Sequence, residues 1–187
     1  KMTQNNIRQI LSKHQVIPVV NFNNVNDVEQ TIESLIEKKI NCIEITLRTE
    51  MAFECVSIAK KLNLNNFDVG IGTVVTADQI RKAIDLEVSF MVSPGINEKL
   101  APYFEESDIA FIPGIATPSE IIMGKQLNWD TFKFFPAHLF GGITSLKTYG
   151  QVFPDVKFCP TGGITEDTHS SYLDLHNVIS VGGSWLI

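Results

Sequence analysis

The chain has 187 residues, of which 44% are hydrophobic and 19% are charged, and its formal net charge is -6 at pH 7. This length suits one sizeable core and is short for two, so we predict a single domain over residues 1–187. The composition excludes disordered and collagen-like chains. Because the chain is acidic and has no Lys/Arg cluster, we predict no nucleic-acid partner, and an anionic ligand would have to be held by local groups.

Residue types that commonly bind metals are scattered along the chain. Cys42, Cys55 and Cys159 form no CxxC pair, and the four histidines lack a ligand spacing such as HExxH, so no metal site is predicted. No apolar stretch approaches the roughly 20 residues of a membrane span, and the polar start lacks the apolar stretch of a signal peptide. We therefore expect a cytoplasmic protein with no membrane partner.

Short apolar, β-branched runs alternate with amphipathic segments from one end of the chain to the other. The predicted strands are VIPVV (16–20), CIEIT (42–46), FDVGIG (67–72), VSFMVS (88–93), IAFIP (109–113), TFKFF (131–135), VKFCP (156–160) and VISVG (178–182). The predicted helices between them lie near residues 25–39, 51–62, 77–86, 97–104, 118–126, 145–149 and 166–173. Strands and helices in strict alternation predict a parallel sheet, and eight strands favour a compact (β/α)8 TIM barrel.

The two ends of the chain add to this expectation. An extra helix over residues 5–13 should close the bottom of the barrel. The eighth helix should begin at Ser184, but the sequence stops at Ile187 and starts with Lys1 rather than a methionine. We therefore expect the sequence to be incomplete, with the last helix missing.

The sixth predicted strand, TFKFF, carries a lysine among aromatic residues. Alternation along a strand sends Phe132 and Phe134 to the helix layer and Lys133 into the barrel, where active sites lie at the carboxyl ends of the strands. Desolvation would favour the neutral amine, which is the nucleophile that Schiff-base chemistry needs. The pattern leaves open a surface lysine or a lysine in a structural ion pair.

The second predicted strand runs into EITLRTE (44–50), where Glu44, Thr46 and Arg48 share one face. A carboxylate and a guanidinium would then enter the same end of the barrel. Glu44 could shuttle protons there, and Arg48 could bind a substrate carboxylate. A Glu–Arg pair that only satisfies itself is the alternative.

The third predicted strand ends in a glycine-containing segment, VGIGTVVT (69–76). Val75 stands where the third glycine of a GxGxxG motif belongs, so no dinucleotide site is predicted. We instead expect Gly72 and Thr73 to offer a backbone N–H and a hydroxyl to a ligand carboxylate.

Two glycine-rich turns, PTGGIT (160–165) and VGGSW (181–185), follow the seventh and eighth predicted strands. Phosphate sites in these barrels are commonly built from those two loops and a helix N-terminus. The turns therefore indicate a phosphate site, with ordinary strand-to-helix turns as the alternative.

Taken together, these segments resemble the 2-keto-3-deoxy-6-phosphogluconate (KDPG) aldolase family, which overlaps with 4-hydroxy-2-oxoglutarate (KHG) aldolase. In chain order, the segments that carry the resemblance are EITLRTE, VGIGTV, SPG (93–95), IPGIATPSE (112–120), FKFFPA (132–137), PTGGI and VGGSW. They span nearly the whole chain, from Val16 to Trp185. The segment HLFGG (138–142) departs from the small residues expected after FFPA, which bears on fine substrate preference.

The resemblance implies a class I Schiff-base aldolase of carbohydrate metabolism, of the Entner–Doudoroff type. It would reversibly cleave 2-dehydro-3-deoxy-6-phosphogluconate to pyruvate and glyceraldehyde 3-phosphate, with 4-hydroxy-2-oxoglutarate, cleaved to pyruvate and glyoxylate, as a further substrate. The residues leave open a preference for the gluconate-derived, a galactonate-derived or the hydroxy-oxoglutarate substrate. Lys133 would form the imine and Glu44 would be the general acid/base. The substrate-binding residues would be Arg48, Thr73, Pro94, Phe135, Thr161, Gly162, Gly163, Gly183 and Ser184.

The resemblance also implies the partners. Family members need no metal and no organic cofactor, and they form homotrimers, so the expected partners are a phosphorylated keto acid and further copies of the chain. Two other functions fit the residues: a metal-free barrel isomerase or epimerase with Glu44 as base, and a non-catalytic barrel that binds phospho-sugars. Of these three functions, only the aldolase requires an imine with pyruvate, so a test for that imine separates it from the other two.

Overall fold

A computed structural model describes residues 3–187, which form an alternating α/β fold. The helices are α1 Thr3–Lys13, α2 Val28–Glu37, α3 Ala52–Lys61, α4 Ala77–Asp85, α5 Ala101–Glu106, α6 Pro118–Gln126, α7 Gly142–Val152 and α8 His169–Leu173. The strands are β1 Val16–Val20, β2 Cys42–Thr46, β3 Asp68–Gly72, β4 Phe90–Val92, β5 Ala110–Ile112, β6 Gly114–Ile115, β7 Thr131–Phe134, β8 Lys157–Pro160 and β9 Val181–Gly183. The predicted alternation of strands and helices is confirmed.

The strands pair in parallel throughout the described residues. Six of them form one sheet in the order β5-β4-β3-β2-β1-β9, and three form a second sheet in the order β6-β7-β8. Two isolated parallel bridges, Phe158 with Val178 and Thr161 with Gly182, connect β8 with the segment of β9. Because all strands are parallel, their carboxyl ends gather at one edge, where the predicted site residues lie.

Several predicted boundaries differ from the structure. Helix α2, helix α8 and the last strand each begin three residues later than predicted. The fifth predicted strand ends at Ile112, and a separate strand, β6, begins after Pro113, which has no N–H for the ladder. Helix α5 begins at Ala101 rather than near residue 97, because Leu100 and Ala101 close tight turns back to Asn97 and Glu98. Helix α7 begins at Gly142, three residues earlier than predicted, since glycines are read from sequence as helix breakers.

Two hydrophobic clusters lie on opposite faces of the strands. Ile43, Ile45 and Phe132 belong to the larger one, which packs against the helices. Cys42 and Phe90 belong to the smaller one, which also contains residues of α1. Neighbouring residues of a strand thus alternate between the clusters, as a strand covered on both faces requires.

Helix α1 is the predicted extra helix, and it lies at the amino ends of the strands. The Gln4 side chain donates to the carbonyl oxygens of Phe111 and Thr131, at 3.3 and 3.1 Å, and Arg8 Nε donates to Thr131 Oγ1 at 2.8 Å. Ile7 is fully buried in the smaller cluster. The helix therefore covers the end of the strands opposite to the predicted site. No helix within residues 3–187 combines the length and apolarity needed to cross a membrane.

Candidate active site

Lys133 lies in the middle of the three-stranded sheet, on β7, with Gly114 and Cys159 as its register partners. It is 4% exposed, whereas Phe132 and Phe134 are fully buried on the helix side. The predicted parity is therefore confirmed, and a surface position for Lys133 is not observed. Its Nζ lies 4.4 Å from the centroid of the Phe135 ring, a cation–π arrangement that offsets part of the cost of burying an amine.

Glu44 lies on β2, is 4% exposed, and points away from the helix layer. Its Oε2 is buried and has no hydrogen-bond partner among the described residues. Burial raises the pKa of this carboxyl group, and the positive charges of Lys133 and Arg48 oppose that rise. A carboxyl with a raised pKa and a free oxygen is suited to giving and taking protons near neutral pH.

Cys159 on β8 is the register partner of Lys133 and is buried beside it. Burial raises the pKa of its thiol to about 12, with a further contribution from Glu44 and an opposing one from Lys133. Lys133 and Glu44 are buried as well. Cys42, Cys55 and Cys159 are all free and buried.

Arg48 follows β2 and is exposed, and it does not act as a self-contained partner of Glu44. Its Nε donates to Thr73 Oγ1 at 3.2 Å. Thr73 directly follows β3 and has φ +61°, a left-handed conformation that is uncommon for a threonine. This contact joins the ends of β2 and β3 and leaves the other guanidinium nitrogens available to a ligand carboxylate.

A cavity of about 200 Å³ opens at the carboxyl ends of the strands. Its lining includes the predicted site residues Arg48, Phe135, Thr161, Gly162, Gly163, Gly183 and Ser184. Phe135 both contacts the Lys133 amine and lines the cavity. The cavity therefore lies next to the buried lysine. A larger cavity of about 710 Å³, lined in part by Lys13, His14 and Trp185, contains none of the predicted site residues.

Glycine is required at the turns that form the cavity wall. Gly162 and Gly163 have φ values of +105° and +69°, and a Cβ on Gly183 would lie 1.8 Å from the Trp185 ring. The N–H of Ala137 donates to the carbonyl oxygen of Thr161 at 2.8 Å, which fastens the loop after β7 to the loop after β8. Backbone N–H groups held in such turns form concavities that accept anions.

Two predicted site residues lie differently from the expectation. Pro94 is absent from the cavity lining, and its carbonyl oxygen faces Gly114 on the neighbouring strand. Ser184 lines the cavity as expected, and its carbonyl oxygen accepts from the N–H of Ile187 at 3.3 Å. Thr73 reaches the site through its bond to Arg48.

Asn21 lines the cavity and was missed by the sequence analysis. It directly follows β1, and its Oδ1 accepts a hydrogen bond from Thr46 Oγ1 on the neighbouring strand. The available signal was its position, since a polar residue directly after an apolar strand lies at the same edge as the other site residues. No group of three or more metal-ligating side chains lies close enough to hold an ion anywhere in residues 3–187.

A buried lysine and a buried carboxyl group beside an anion-accepting cavity, at the carboxyl ends of parallel strands, define an α/β enzyme of the Schiff-base type. The sequence matches the family model described as KDPG and KHG aldolase over residues 7–187, and the chain belongs to that family. The predicted resemblance and the prediction of a carbon–carbon lyase are thus confirmed.

Individual relatives agree with the family assignment. The chain is 36% identical over 181 residues to the 2-dehydro-3-deoxy-phosphogluconate aldolase of Zymomonas mobilis, covering 97% of this chain and 86% of the relative. A crystal structure of the Zymomonas mobilis enzyme with 3-phosphoglycerate superimposes with a TM-score of 0.93 at 36% identity, over 97% and 86% of the two chains.

A second solved structure bears on the chemistry. The KDPG aldolase from Legionella pneumophila, with pyruvate captured at low pH as a covalent carbinolamine intermediate, has a TM-score of 0.92 and 38% identity, over 95% of this chain and 86% of that one. A carbinolamine is the adduct of an amine with a keto group, so Schiff-base chemistry operates in a relative with the same fold. The isomerase and binding-protein alternatives are not favoured by these comparisons.

Proposed function

We propose that the chain is a class I aldolase that reversibly cleaves 2-dehydro-3-deoxy-6-phosphogluconate to pyruvate and glyceraldehyde 3-phosphate. We extend the proposal to 4-hydroxy-2-oxoglutarate, which would give pyruvate and glyoxylate. One observation carries it: Lys133 is buried in the same interior as Glu44, and its amine contacts the ring that lines the cavity. The relatives that act on these substrates support the choice of substrate class.

Cleavage would begin with attack of neutral Lys133 Nζ on C2 of the keto acid. Glu44 passes protons between nitrogen and oxygen, so the carbinolamine loses water and becomes a protonated imine. The C4 hydroxyl then gives its proton to Glu44, directly or through water. The electron pair of the C3–C4 bond moves into the imine, and the aldehyde leaves. The resulting enamine takes a proton at C3, and water releases pyruvate and restores the amine.

The raised pKa of Glu44 supports its role in both directions of proton transfer. A carboxyl group with an ordinary pKa is almost wholly ionised at pH 7 and is a poor proton donor there. Burial raises the Glu44 pKa, which makes its protonated form a more accessible proton donor than that of an exposed glutamate. Its unpartnered Oε2 leaves an oxygen available for the substrate hydroxyl.

We assign the two ends of the substrate to two sets of residues. Arg48 and Thr73, with the backbone near Pro94, bind the keto-acid carboxylate, and Phe135 packs beside the pyruvyl group. The residues that bind the phosphate or polar tail are Thr161, Gly162, Gly163, Gly183 and Ser184. Because the tail lies far from the broken bond, its binding energy positions C4 for cleavage.

The remaining architectural proposals are a closed barrel, one domain and a homotrimer. Closure into a (β/α)8 barrel is supported by the bridge between Thr161 and Gly182 at one junction of the two sheets, and by the hydrogen bond from Lys133 N–H to the Pro113 carbonyl oxygen at the other. We count β5 and β6 as one strand of that barrel, which α1 closes from below. The single domain rests on the continuous alternation of strands and helices. The homotrimer and a cytoplasmic location rest on the family resemblance.

Borohydride trapping tests the proposal directly. Incubation with pyruvate and borohydride should reduce the imine and add a pyruvyl-derived group to the peptide that contains Lys133, as detected by mass spectrometry. Lys133→Met should abolish both trapping and turnover while keeping the fold, because methionine fills a similar volume without the amine. Labelling at a different residue, or none on folded protein, would exclude the aldolase and favour an isomerase or a binding protein.

A further inference from the structure

Gly72, the last residue of β3, lies directly beneath the Glu44 carboxyl group. A Cβ built on Gly72 would lie 2.1 Å from Glu44 Oε2, 2.8 Å from Cδ and 3.1 Å from Cγ, and these are the three nearest atoms to it. Carbon atoms in van der Waals contact lie about 3.5–4.0 Å apart. The Glu44 carboxyl group therefore occupies the volume that any other residue at position 72 would fill.

The backbone at this point cannot easily move to make room. Thr46 and Gly72 are register partners of β2 and β3, and the N–H of Leu47 donates to the Gly72 carbonyl oxygen at 2.9 Å. On the next residue, the Thr73 hydroxyl accepts from Arg48, so a shift of β3 would also disturb the guanidinium. We therefore expect the Glu44 side chain to rotate away, because that movement relieves the steric clash with an added Cβ.

We propose that Gly72 is a positioning residue that sets where the Glu44 carboxyl group lies relative to Lys133. The inference rests on the proposed function, in which Glu44 moves protons to and from the Lys133 adduct. Proton transfer requires the carboxyl oxygen within hydrogen-bonding reach of the reacting group, and a displacement of about 1 Å can cost about 100-fold in rate. Gly72 is absent from the cavity lining, and Gly72→Ala keeps the backbone N–H that is expected to face a ligand carboxylate, so the added methyl group acts through Glu44.

Gly72→Ala should lower kcat about 100-fold with little change in KM, because the cavity that binds the substrate tail is untouched. In a plot of kcat against pH, the variant should lose the pH dependence that arises from ionisation of Glu44. In a Glu44→Gln background, Gly72→Ala should cause little further loss, since the group it displaces no longer transfers protons. If the loss of kcat in the double variant equals the product of the losses in the two single variants, Gly72 acts independently of Glu44 and the proposal is overturned.

Gly70→Ala is a matched control on the same face of β3. A Cβ on Gly70 would lie 2.3 Å from the ring of Phe90, a fully buried residue of the smaller cluster. This variant should melt at a lower temperature and keep most of its turnover per folded molecule. A loss of kcat in Gly70→Ala as large as in Gly72→Ala would mean that any added methyl group on β3 disables the enzyme, and the positioning role would be rejected.

A stability measurement separates this proposal from the proposed function. If Gly72→Ala does not fold, Glu44→Ala combined with Gly72→Ala should fold, because the three nearest atoms are removed. Failure of that double variant, with Glu44→Ala alone folding, would overturn the proposal. Wild-type protein that forms no pyruvate adduct at Lys133 would instead refute the aldolase function. Even then, a comparison of the melting temperatures of Gly72→Ala and of the double variant would decide whether Glu44 occupies the space over Gly72.

Discussion

Glu44→Gln should make the protein more stable at neutral and alkaline pH while making it a worse enzyme. Burial raises the pKa of Glu44 in the folded state, so the folded protein holds the proton more tightly than the unfolded chain does. That contribution to stability is fully present below the ordinary glutamate pKa of about 4.3 and is lost as the pH rises through the raised folded value. Glutamine has no proton to lose, so the variant keeps its stability across this window.

The magnitude follows from the charge on a carboxylate whose Oε2 has no partner. A buried polar group without a hydrogen bond costs about 1–3 kcal/mol and more when charged, and glutamine keeps the unpartnered polar atom while removing the excess cost of the charge. Lys133 and Arg48 recover part of the cost of the charge, but the net pKa shift is upward, so desolvation outweighs them. We take about 1–2 kcal/mol as the gain in the free energy of unfolding at pH 8. For a chain of this size, that corresponds to a rise in Tm of about 2–8 °C.

Thermal melts of wild type and variant at several pH values between 4 and 8 measure this effect. The Tm difference should be smallest at pH 4 and should grow toward pH 8. Glu33, an exposed carboxylate on α2, supplies the control, since Glu33→Gln should show no such growth. A Glu44→Gln difference that is negative, or that stays constant with pH, would show that the carboxyl group is not desolvated. Turnover of the same variant should fall about 10²- to 10⁴-fold.

Three further predictions follow from the site and the core. Ser184→Ala should remove one donor to a charged oxygen, lowering kcat/KM for the phosphorylated substrate roughly 10- to 150-fold and sparing 4-hydroxy-2-oxoglutarate; equal losses would mean that Ser184 supports the fold. Phe134→Ala should lower the free energy of unfolding by about 3–5 kcal/mol in urea melts, because the fully buried ring packs edge-on against Tyr149 and Phe158. Activity should survive exhaustive treatment with a chelator; loss that added metal restores would point to a metal-dependent mechanism.

The sequence predicts the strands and the faces of their side chains well, because both depend on local patterns. Alternation in TFKFF places Lys133 on the interior face and Phe134 in the helix layer, as observed. The start of α6 also depends on neighbouring residues, because Thr117 forms a capping box with Glu120 and Pro118 occupies the first turn.

What the sequence could not predict depends on contacts between distant segments. Glu44 and Gly72 are far apart in the chain, and only the register of β2 with β3 brings the carboxyl group over the glycine. The position of Asn21 after an apolar strand is visible in the sequence, but its hydrogen bond with Thr46, across two strands, is not. The placement of Pro94 depends on how its loop meets Gly114, which no local pattern encodes.

The active site lies where the chain departs from rules that the rest of the fold obeys. Glu44 is buried without a partner for one oxygen, Lys133 is a buried lysine, and Thr73 has a left-handed backbone. Departures of this kind each cost on the order of 1–3 kcal/mol. A fully hydrogen-bonded Glu44 would be more stable, but it would have a lower pKa and no oxygen left for a substrate hydroxyl. The low stability of this carboxyl group and its capacity to carry protons therefore have the same cause.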